Sequence, residues 1–358
     1  MKTLTSFSRW FVGLLFIFSG LIKLNDPHGT AIKLDEYFVV FSTSFSSIFE
    51  WFIPFALFLS VFLSTLEVVL GIAILLPFKA KKTIWILLSM IIYFTCLTFY
   101  SAYTGKVTDC GCFGDAIPLT PWQSFIKDLI LLVFLVFLVY RRKTIVDYYN
   151  PKKTIAVSLV TIASLALAMY CIEHLPIKDF RPYKIGNNIP SLMNDGKASS
   201  YHFEMEKDGQ VKVFEKYPID KSWKFVRSIE IAKGKDPTIL DFFLFNKEDM
   251  DVTEEIFSGV KLSFVFNKVG PLAEDIDWNA LETLTKLMKG KLITISSNTI
   301  ENKQYTNLLP PYYAIDETVA KAMIRSNPGI ILWKEGTIVG KWHINDIPNE
   351  EELNSLLK

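Results

Sequence analysis

The chain has 358 residues, half of them hydrophobic, with 14% aromatic residues and 29 phenylalanines, an apolar share above that of an ordinary globular protein. A formal net charge of +1 excludes a strongly basic nucleic-acid binder, and its four cysteines and four histidines show no zinc-type spacing. The apolar excess lies before about residue 177, which predicts a membrane-embedded N-terminal half and a water-soluble C-terminal half.

A membrane span needs about 20 mostly apolar residues. Five stretches qualify: Thr5 to Leu24, Trp51 to Leu76, Thr83 to Tyr103, Pro121 to Tyr140 and Thr154 to Ile172. The first follows Lys2 and Arg9 as a signal peptide would. No small-x-small cleavage site comes after it, and Lys23 closes the segment, so a retained span is expected. Between the first two spans, Asp26 reads as an N-cap and Pro27 as the first residue of a short interfacial helix. Ala31, Leu34, Tyr37 and Phe38 share one face of that helix, and His28 reads as a surface residue.

Basic residues set the expected orientation. Lys79, Lys81 and Lys82 follow span two, and Arg141, Arg142, Lys143, Lys152 and Lys153 follow span four. Both loops are expected inside, with the N-terminus. The loop after span three and everything beyond Pro176 are then expected outside, at a bacterial cytoplasmic membrane.

The outer loop carries Asp109-Cys110-Gly111-Cys112-Phe113-Gly114-Asp115. Cysteines at i and i+2 can close a small strained disulfide ring, and strained, exposed disulfides are the labile or catalytic kind. Gly111 and Gly114 permit the sharp turns it needs. Cys110 and Cys112 are the candidate catalytic residues. Cys96, near the outer end of span three, and Cys171, at the outer end of span five, are candidate relay thiols or plain apolar fillers.

Three ionisable residues lie at membrane depth. Glu67, in the middle of span two, needs a partner, a proton or a cavity. It reads as a proton acceptor beside a quinone or thiol site, or as a packing hydrogen bond to a Ser or Thr. Lys127 and Asp128 lie just past the thiol loop and, about 100° apart on a helix, are expected to bind different neighbours. Lys127 either favours thiolate nearby or snorkels to the interface.

Arg9-x-x-x-Gly13, Phe18-Ser19-Gly20-Leu21-Ile22-Lys23, Glu67-x-x-x-Gly71, Cys110-Gly111-Cys112-Phe113-Gly114, Pro121-Trp122 and Lys127-Asp128-Leu129 together resemble the MauE/DoxX family of small membrane-bundle proteins. The resemblance implies a four-helix membrane core linked to thiol–disulfide handling or redox maturation of extracytoplasmic proteins. MauE itself is tied to maturation of methylamine dehydrogenase, a disulfide-rich client. The fifth span and the long C-terminal half depart from the short family members.

Beyond Pro176, Arg181 to Pro190 reads as an ordered tether. Tyr201 to Glu206 and Val211 to Phe214, joined at Asp208-Gly209, predict a hairpin, and Trp223 to Ile231 and Thr238 to Phe245 predict two more strands. From Lys261 the pattern is strand Leu262 to Phe266, a helix with Trp278, Leu281, Leu284 and Met288 on one face, and strand Leu292 to Ser296. Helix Glu317 to Arg325, strands Ile330 to Trp333 and Thr337 to Trp342, and helix Glu350 to Leu357 complete it. This β-α-β-α-β-β-α order resembles a thioredoxin fold, with Pro328 where relatives carry a cis-proline beside a partner-binding groove. The Cys-x-x-Cys position instead reads Asn267-Lys268-Val269-Gly270-Pro271, and no cysteine follows Cys171. Any activity of this part is binding.

The expected organisation is a four-span bundle over 1–150, a fifth span over 151–178, a β-rich extracytoplasmic segment over 179–255 and a thioredoxin-like domain lacking Cys-x-x-Cys over 256–358. One function fits an enzyme component: Cys110 and Cys112 exchange disulfides with an extracytoplasmic client or redox partner and pass electrons into the membrane, with quinone as the acceptor. A different one is a non-catalytic scaffold, its loop stiffened by the thiol pair and its outer domain binding a partner. A transporter centred on Glu67 lacks the expected internal repeat. No signature of a metal, haem or nucleotide occurs, and lipid is the only other partner class implied.

Overall fold

The computed structural model describes residues 2–357 except 108–110, 146–149, 197–199, 208–209, 215–222, 233–236, 274–275, 299, 301–302 and 311. Helix α1 spans Lys2–Asn25, and α2, Pro27–Ser44, starts as the sequence predicts: the Asp26 carboxylate accepts from the Gly29 N–H at 2.8 Å and Pro27 occupies the first turn. A 3-10 run, Ser47–Phe55, leads into α3, Ala56–Leu75; α4 is Ala80–Thr104 and ends on Gly105 at φ +64. Helix α5, Pro121–Arg141, opens with a capping box between Thr120 and Gln123, and α6 is Pro151–Glu173. Five of these segments are long and apolar enough to cross a membrane, at the places the sequence predicts. Phe7, Trp10, Leu14, Phe58, Val133, Leu159 and Ile162 face outward, as a lipid-covered bundle requires. The N-terminal region is a multi-pass helical membrane bundle.

Helices α1 and α3 cross at glycines. A Cβ on Gly20 would lie 2.8 Å from the Ser64 carbonyl oxygen, and one on Gly71 would lie 2.8 Å from that of Gly13. The small residues let the two backbones touch, which is how helices associate in a solvent as apolar as themselves. Arg9 fastens one end of the crossing by donating to the Ile74 and Leu75 carbonyls at 2.9–3.1 Å, capping α3.

Past α6 a linker leads to α7, Ile189–Met193, and to a three-stranded sheet of β1, Ser200–Lys207, β2, Gln210–Phe214, and β3, Lys224–Ala232, in the order β2-β1-β3. The Asp208-Gly209 turn of the expected hairpin lies outside the described residues. The predicted strand Thr238 to Phe245 forms no ladder: Ile239, Phe242 and Leu244 turn into the core, the Leu244 N–H donates to the Thr253 hydroxyl, and Phe245 alone pairs, through two backbone hydrogen bonds with Ala314. Its apolar residues are a core insert read as alternation.

After α8, Thr253–Phe257, the chain builds β4, Val260–Phe266; α9, Trp278–Leu287; β5, Leu292–Ser296; α10, Lys303–Leu308; β6, Tyr312–Ala314; and α11, Glu317–Met323. It ends with β7, Gly329–Lys334, β8, Thr337–His343, and α12, Glu350–Leu357. The sheet order is β6-β5-β4-β7-β8; β4, β5 and β6 run parallel, and β7 and β8 reverse direction in turn. Side chains alternate between two cores: Leu262, Phe264, Phe266, Ile330 and Leu332 pack on one face, Val265, Ile331 and Trp333 on the other. Both faces are covered, so this α/β region has its own core. The Asn327-Pro328 bond is cis.

Candidate functional site

The glycine crossing sets the first part of the site. One turn past Gly20 on α1, the Lys23 ammonium meets Glu67 Oε1 of α3 at 2.6 Å; both side chains are almost fully buried. Lys23 also lies over the Phe94 ring of α4, 5.0 Å from its centroid. The other carboxylate oxygen, Glu67 Oε2, is buried with no hydrogen-bond partner among the described residues, as is Ser64 Oγ one turn away. Glu67 thus has a cation on one side and an unspent acceptor on the other.

From the opposite side, α5 contributes Lys127 and Asp128. Their side chains meet at 2.7 Å, against the expectation that neighbours on a helix seek different partners: a lysine's flexible four-carbon stem spans the 100° between them. The Thr98 hydroxyl of α4 donates to Asp128 Oδ2 at 3.0 Å. Lys127 does not reach out to an interface: its ammonium lies 5.1 Å from the Phe113 ring centroid, in the thiol loop.

Both ion pairs line one cavity of about 70 Å³, walled by apolar residues such as Leu63, Ile91, Phe94 and Leu131 and closed by Gly111, Cys112 and Phe113. The loop is fixed over it. Phe113 is buried and stacks edge-on to Phe18 at 5.5 Å; the Ser19 hydroxyl donates to the Cys112 carbonyl at 2.9 Å; Gly111 and Gly114 take the positive φ that the turn needs. Cys112, Glu67, Lys127 and Asp128, chosen from sequence, therefore share one site. Cys110 lies outside the described residues. Cys96 is exposed on the bundle and Cys171 is buried at the end of α6; neither lines the cavity. Lys23, Ser19 and Phe113 were not chosen. A buried mid-span carboxylate was the available signal, since it demands a cation and span one offers Lys23.

The C-terminal domain seats on the loop end of the bundle. Arg325 donates from Nε to both Asp26 carboxylate oxygens at 3.0 Å, and its Nη2 is 3.0 Å from Asp26 Oδ2 and 3.6 Å from Asp115 Oδ2 in the thiol loop. Burial works to raise the Asp26 carboxyl, but the Arg325 and Arg181 charges and the Gly29 N–H outweigh it and hold it below its ordinary value. His28 is not a free surface residue. It lies under the domain near Gly270, and burial, with Arg325 beside it, pushes its imidazole down to about 4 against the pull of Asp26. Further ties are His174 to Asp346 at 2.8 Å and Asn25 to Lys178 at 2.8 Å.

Within the domain, Lys341 is buried against Asp179 at 2.6 Å and the Tyr183 carbonyl at 2.9 Å, and Arg181 grips the same carboxylate at 2.8 Å. Burial, then the Arg181 charge, pushes Lys341 down to about 7; the two cations carry Asp179 to about 2 although burial opposes them. Between bundle and domain lies a chamber of about 340 Å³, reached by Gly111, Gly114 and Asp115 of the thiol loop. The groove expected beside Pro328 is filled from within. Pro328 is buried, the Asn327 carbonyl accepts from Ala273 N–H at 2.9 Å, and Asn267 donates to the Ile324 and Ser326 carbonyls at 3.2 and 3.1 Å. Among the described residues no cluster of metal-ligand side chains occurs.

Residues 1–141 match the family model described as methylamine utilisation protein MauE. The membrane bundle is MauE-like. This agrees with the resemblance carried by the Cys-Gly-Cys-Phe-Gly loop and by Glu67-x-x-x-Gly71, the two segments that meet at the cavity. Over 165 residues the chain is 33% identical to Protein TlpB of Flavobacterium psychrophilum; the match covers 44% of this chain and 42% of that relative, so it spans less than half of the relative's length. No solved structure matches the chain.

Proposed function

We propose that this protein is a membrane thiol–disulfide oxidoreductase component, in which the Cys110/Cys112 pair exchanges with an extracytoplasmic partner and passes electrons to an acceptor in the bundle. The observation that carries the reading is the meeting of Cys112 with two buried acid–base pairs, Lys23–Glu67 and Lys127–Asp128, around one cavity. Two-electron thiol chemistry moves protons, and the carboxylates and ammoniums of these pairs are groups that can accept or donate one beside Cys112, each transfer changing the charge of its pair by one. The basic loops after α3 and α5 favour a loop and C-terminal domain outside the membrane of a bacterial cell.

A quinone headgroup fits the acceptor site on one observation: Glu67 Oε2 and Ser64 Oγ are buried, unpartnered and set in apolar walls. Bound there it would supply a two-electron acceptor, with the Lys23 ammonium and the Ser64 hydroxyl placed to donate to a quinone oxygen and the Glu67 carboxylate placed to accept from the hydroxyl of its reduced form. The strand order β6-β5-β4-β7-β8 supports reading the C-terminal domain as thioredoxin-like, and without thiols and with its Pro328 groove filled its proposed role is a cover over the loop. The second reading, a scaffold whose loop is merely stapled, draws on how firmly Ser19 and Phe113 pin that loop.

Membrane vesicles containing the full chain test the proposal. The reduced loop is expected to be reoxidised by added quinone, at a rate at least tenfold lower in Glu67→Gln, while a membrane-impermeant thiol reagent labels it from outside. A loop potential below about −300 mV, together with full activity of the Cys110→Ser/Cys112→Ser variant in cells, would establish the staple instead.

A further inference from the structure

The thiol loop is part of the seam between bundle and domain. Among the described residues no hydrophobic cluster joins the two bodies: each draws its residues either from the bundle or from the chain beyond α6. A seam without a shared apolar core is the kind about which domains move. Its two sides also differ in charge. Along the chamber of about 340 Å³ the floor presents Asp26, Asp35, Glu36 and Asp115 together with Lys33, and the roof presents Lys178, Arg181, Lys321 and Arg325 together with Asp179. Pairs within each body, Lys33–Glu36 below and Arg181–Asp179 and Lys321–Glu317 above, cancel part of each side and leave the floor acidic and the roof basic.

Arg325 is the cation that crosses. It donates to both Asp26 carboxylate oxygens at 3.0 Å and stands 3.6 Å from Asp115 Oδ2, so one guanidinium meets helix and loop at once. The domain does not exhaust this surface: Asp35 Oδ1 is buried with no hydrogen-bond partner among the described residues. Gly111, Gly114 and Asp115 line the chamber on either side of Cys112 in sequence, so a protein that reaches the loop across this floor must first displace the domain. Resting on the thiol reading above, we infer that the acidic floor is the docking surface for the loop's extracytoplasmic partner, and that this partner is a protein whose reacting sulfur lies among arginines and lysines. The C-terminal domain holds the surface in the partner's place, with Arg325 as its anchor, and a basic partner competes it away. Charge of opposite sign then selects the partner and speeds its approach.

The test uses the purified full-length chain with Cys96→Ser, Cys110→Ser and Cys171→Ser, which leaves Cys112 as its one thiol. Two peptides of equal length carry a cysteine activated as its 2-pyridyl disulfide, one among arginines and the other among glutamates. The Cys112 thiolate attacks the peptide sulfur, the probe's S–S bond breaks, and 2-thiopyridone leaves with the electron pair and is followed by its absorbance. Each rate is divided by that of the same peptide with 2-mercaptoethanol. At low ionic strength the arginine peptide is expected to react at least tenfold faster than the glutamate peptide, and high salt to close the gap. Arg325→Gln is expected to speed the arginine peptide further, and Asp35→Asn/Glu36→Gln, which spares the contacts of Arg325, to slow it. Equal rates, a faster glutamate peptide, or an arginine peptide indifferent to Arg325→Gln would overturn the inference and leave the thiol reading standing. So would a Cys112 that reacts with hydroxyethyl 2-pyridyl disulfide and with neither peptide. A Cys112 inert to every reagent until the chain is unfolded would sink both.

Discussion

At the scale of single residues, the decisive fact is that each buried charge has its counter-charge. Removing one partner leaves an uncompensated ion, a loss of about 3–5 kcal/mol, whereas removing both leaves a void but no charge. Lys23→Met is therefore expected to destabilise the bundle by about 3–5 kcal/mol in mixed-micelle unfolding, and Lys23→Met/Glu67→Leu by clearly less. Equal losses in the two variants would mean that the pair carries no coupling. Glu67 was legible because a carboxylate in the middle of an apolar run announces itself. Lys23 was not, because a lysine at the end of a span looks the same whether it turns outward or inward. Arg325 and Asp26 lie 299 residues apart, and no periodicity links positions so distant.

His28 gives a second residue-scale test, at the seam between bundle and domain. Burial holds its imidazole at about 4 against an ordinary 6.5, so between those values the docked state binds fewer protons than the undocked one. Docking is then at full strength above pH 6.5 and is lost as the pH falls toward 4, by at most about 3 kcal/mol. The Asp26 carboxyl, held below its usual value, stays ionised throughout that window. Cleavage of the linker around residue 176 by an added protease should rise over this range, and His28→Gln should flatten the rise. An identical pH response in that variant would acquit His28.

At the scale of elements, the α1–α3 crossing is the part on which the site depends. Gly20→Ala would drive a methyl against the Ser64 carbonyl oxygen and Val68, and backbone cannot step aside. Overpacking of this kind costs about 1–3 kcal/mol, and here it also displaces Lys23 one turn away. Gly13→Ala meets the Leu75 side chain first, which can shift, and the Gly71 carbonyl oxygen only at 3.0 Å, so its melting point in detergent should fall less than that of Gly20→Ala. Helices and spans were readable because caps and apolar length are local: Thr120-Pro121 and Asp26-Pro27 start helices where they stand. The 238–245 segment misled because a strand and a core insert show the same spaced apolar residues, and here only Phe245 pairs as a strand residue would, while the Leu244 N–H goes to the Thr253 hydroxyl.

At the scale of the whole molecule, two bodies share one polar seam. The C-terminal domain has cores on both faces of its sheet and no cysteine, so it should fold alone with a cooperative thermal transition that reductant does not move. Its boundary is set by Lys341, which is buried against Asp179 beside Arg181. A fragment beginning at Asp179 should melt roughly 5 °C or more above one beginning at Tyr183, since the shorter piece strands a buried lysine. Equal melting points would show that the linker contributes nothing. The Lys341–Asp179 contact was not readable from composition, because the charge that needs the linker sits 162 residues away.

The Lys23–Glu67 pair also constrains how the protein is made. Lys23 is synthesised 44 residues before the carboxylate that neutralises it. Until α3 arrives, the first helix must rest with that lysine at the level of the lipid headgroups, because a lone ammonium is costly farther in. The glycine-lined contact with α3 is then what draws it inward, so α1 reaches its final depth as one half of a pair.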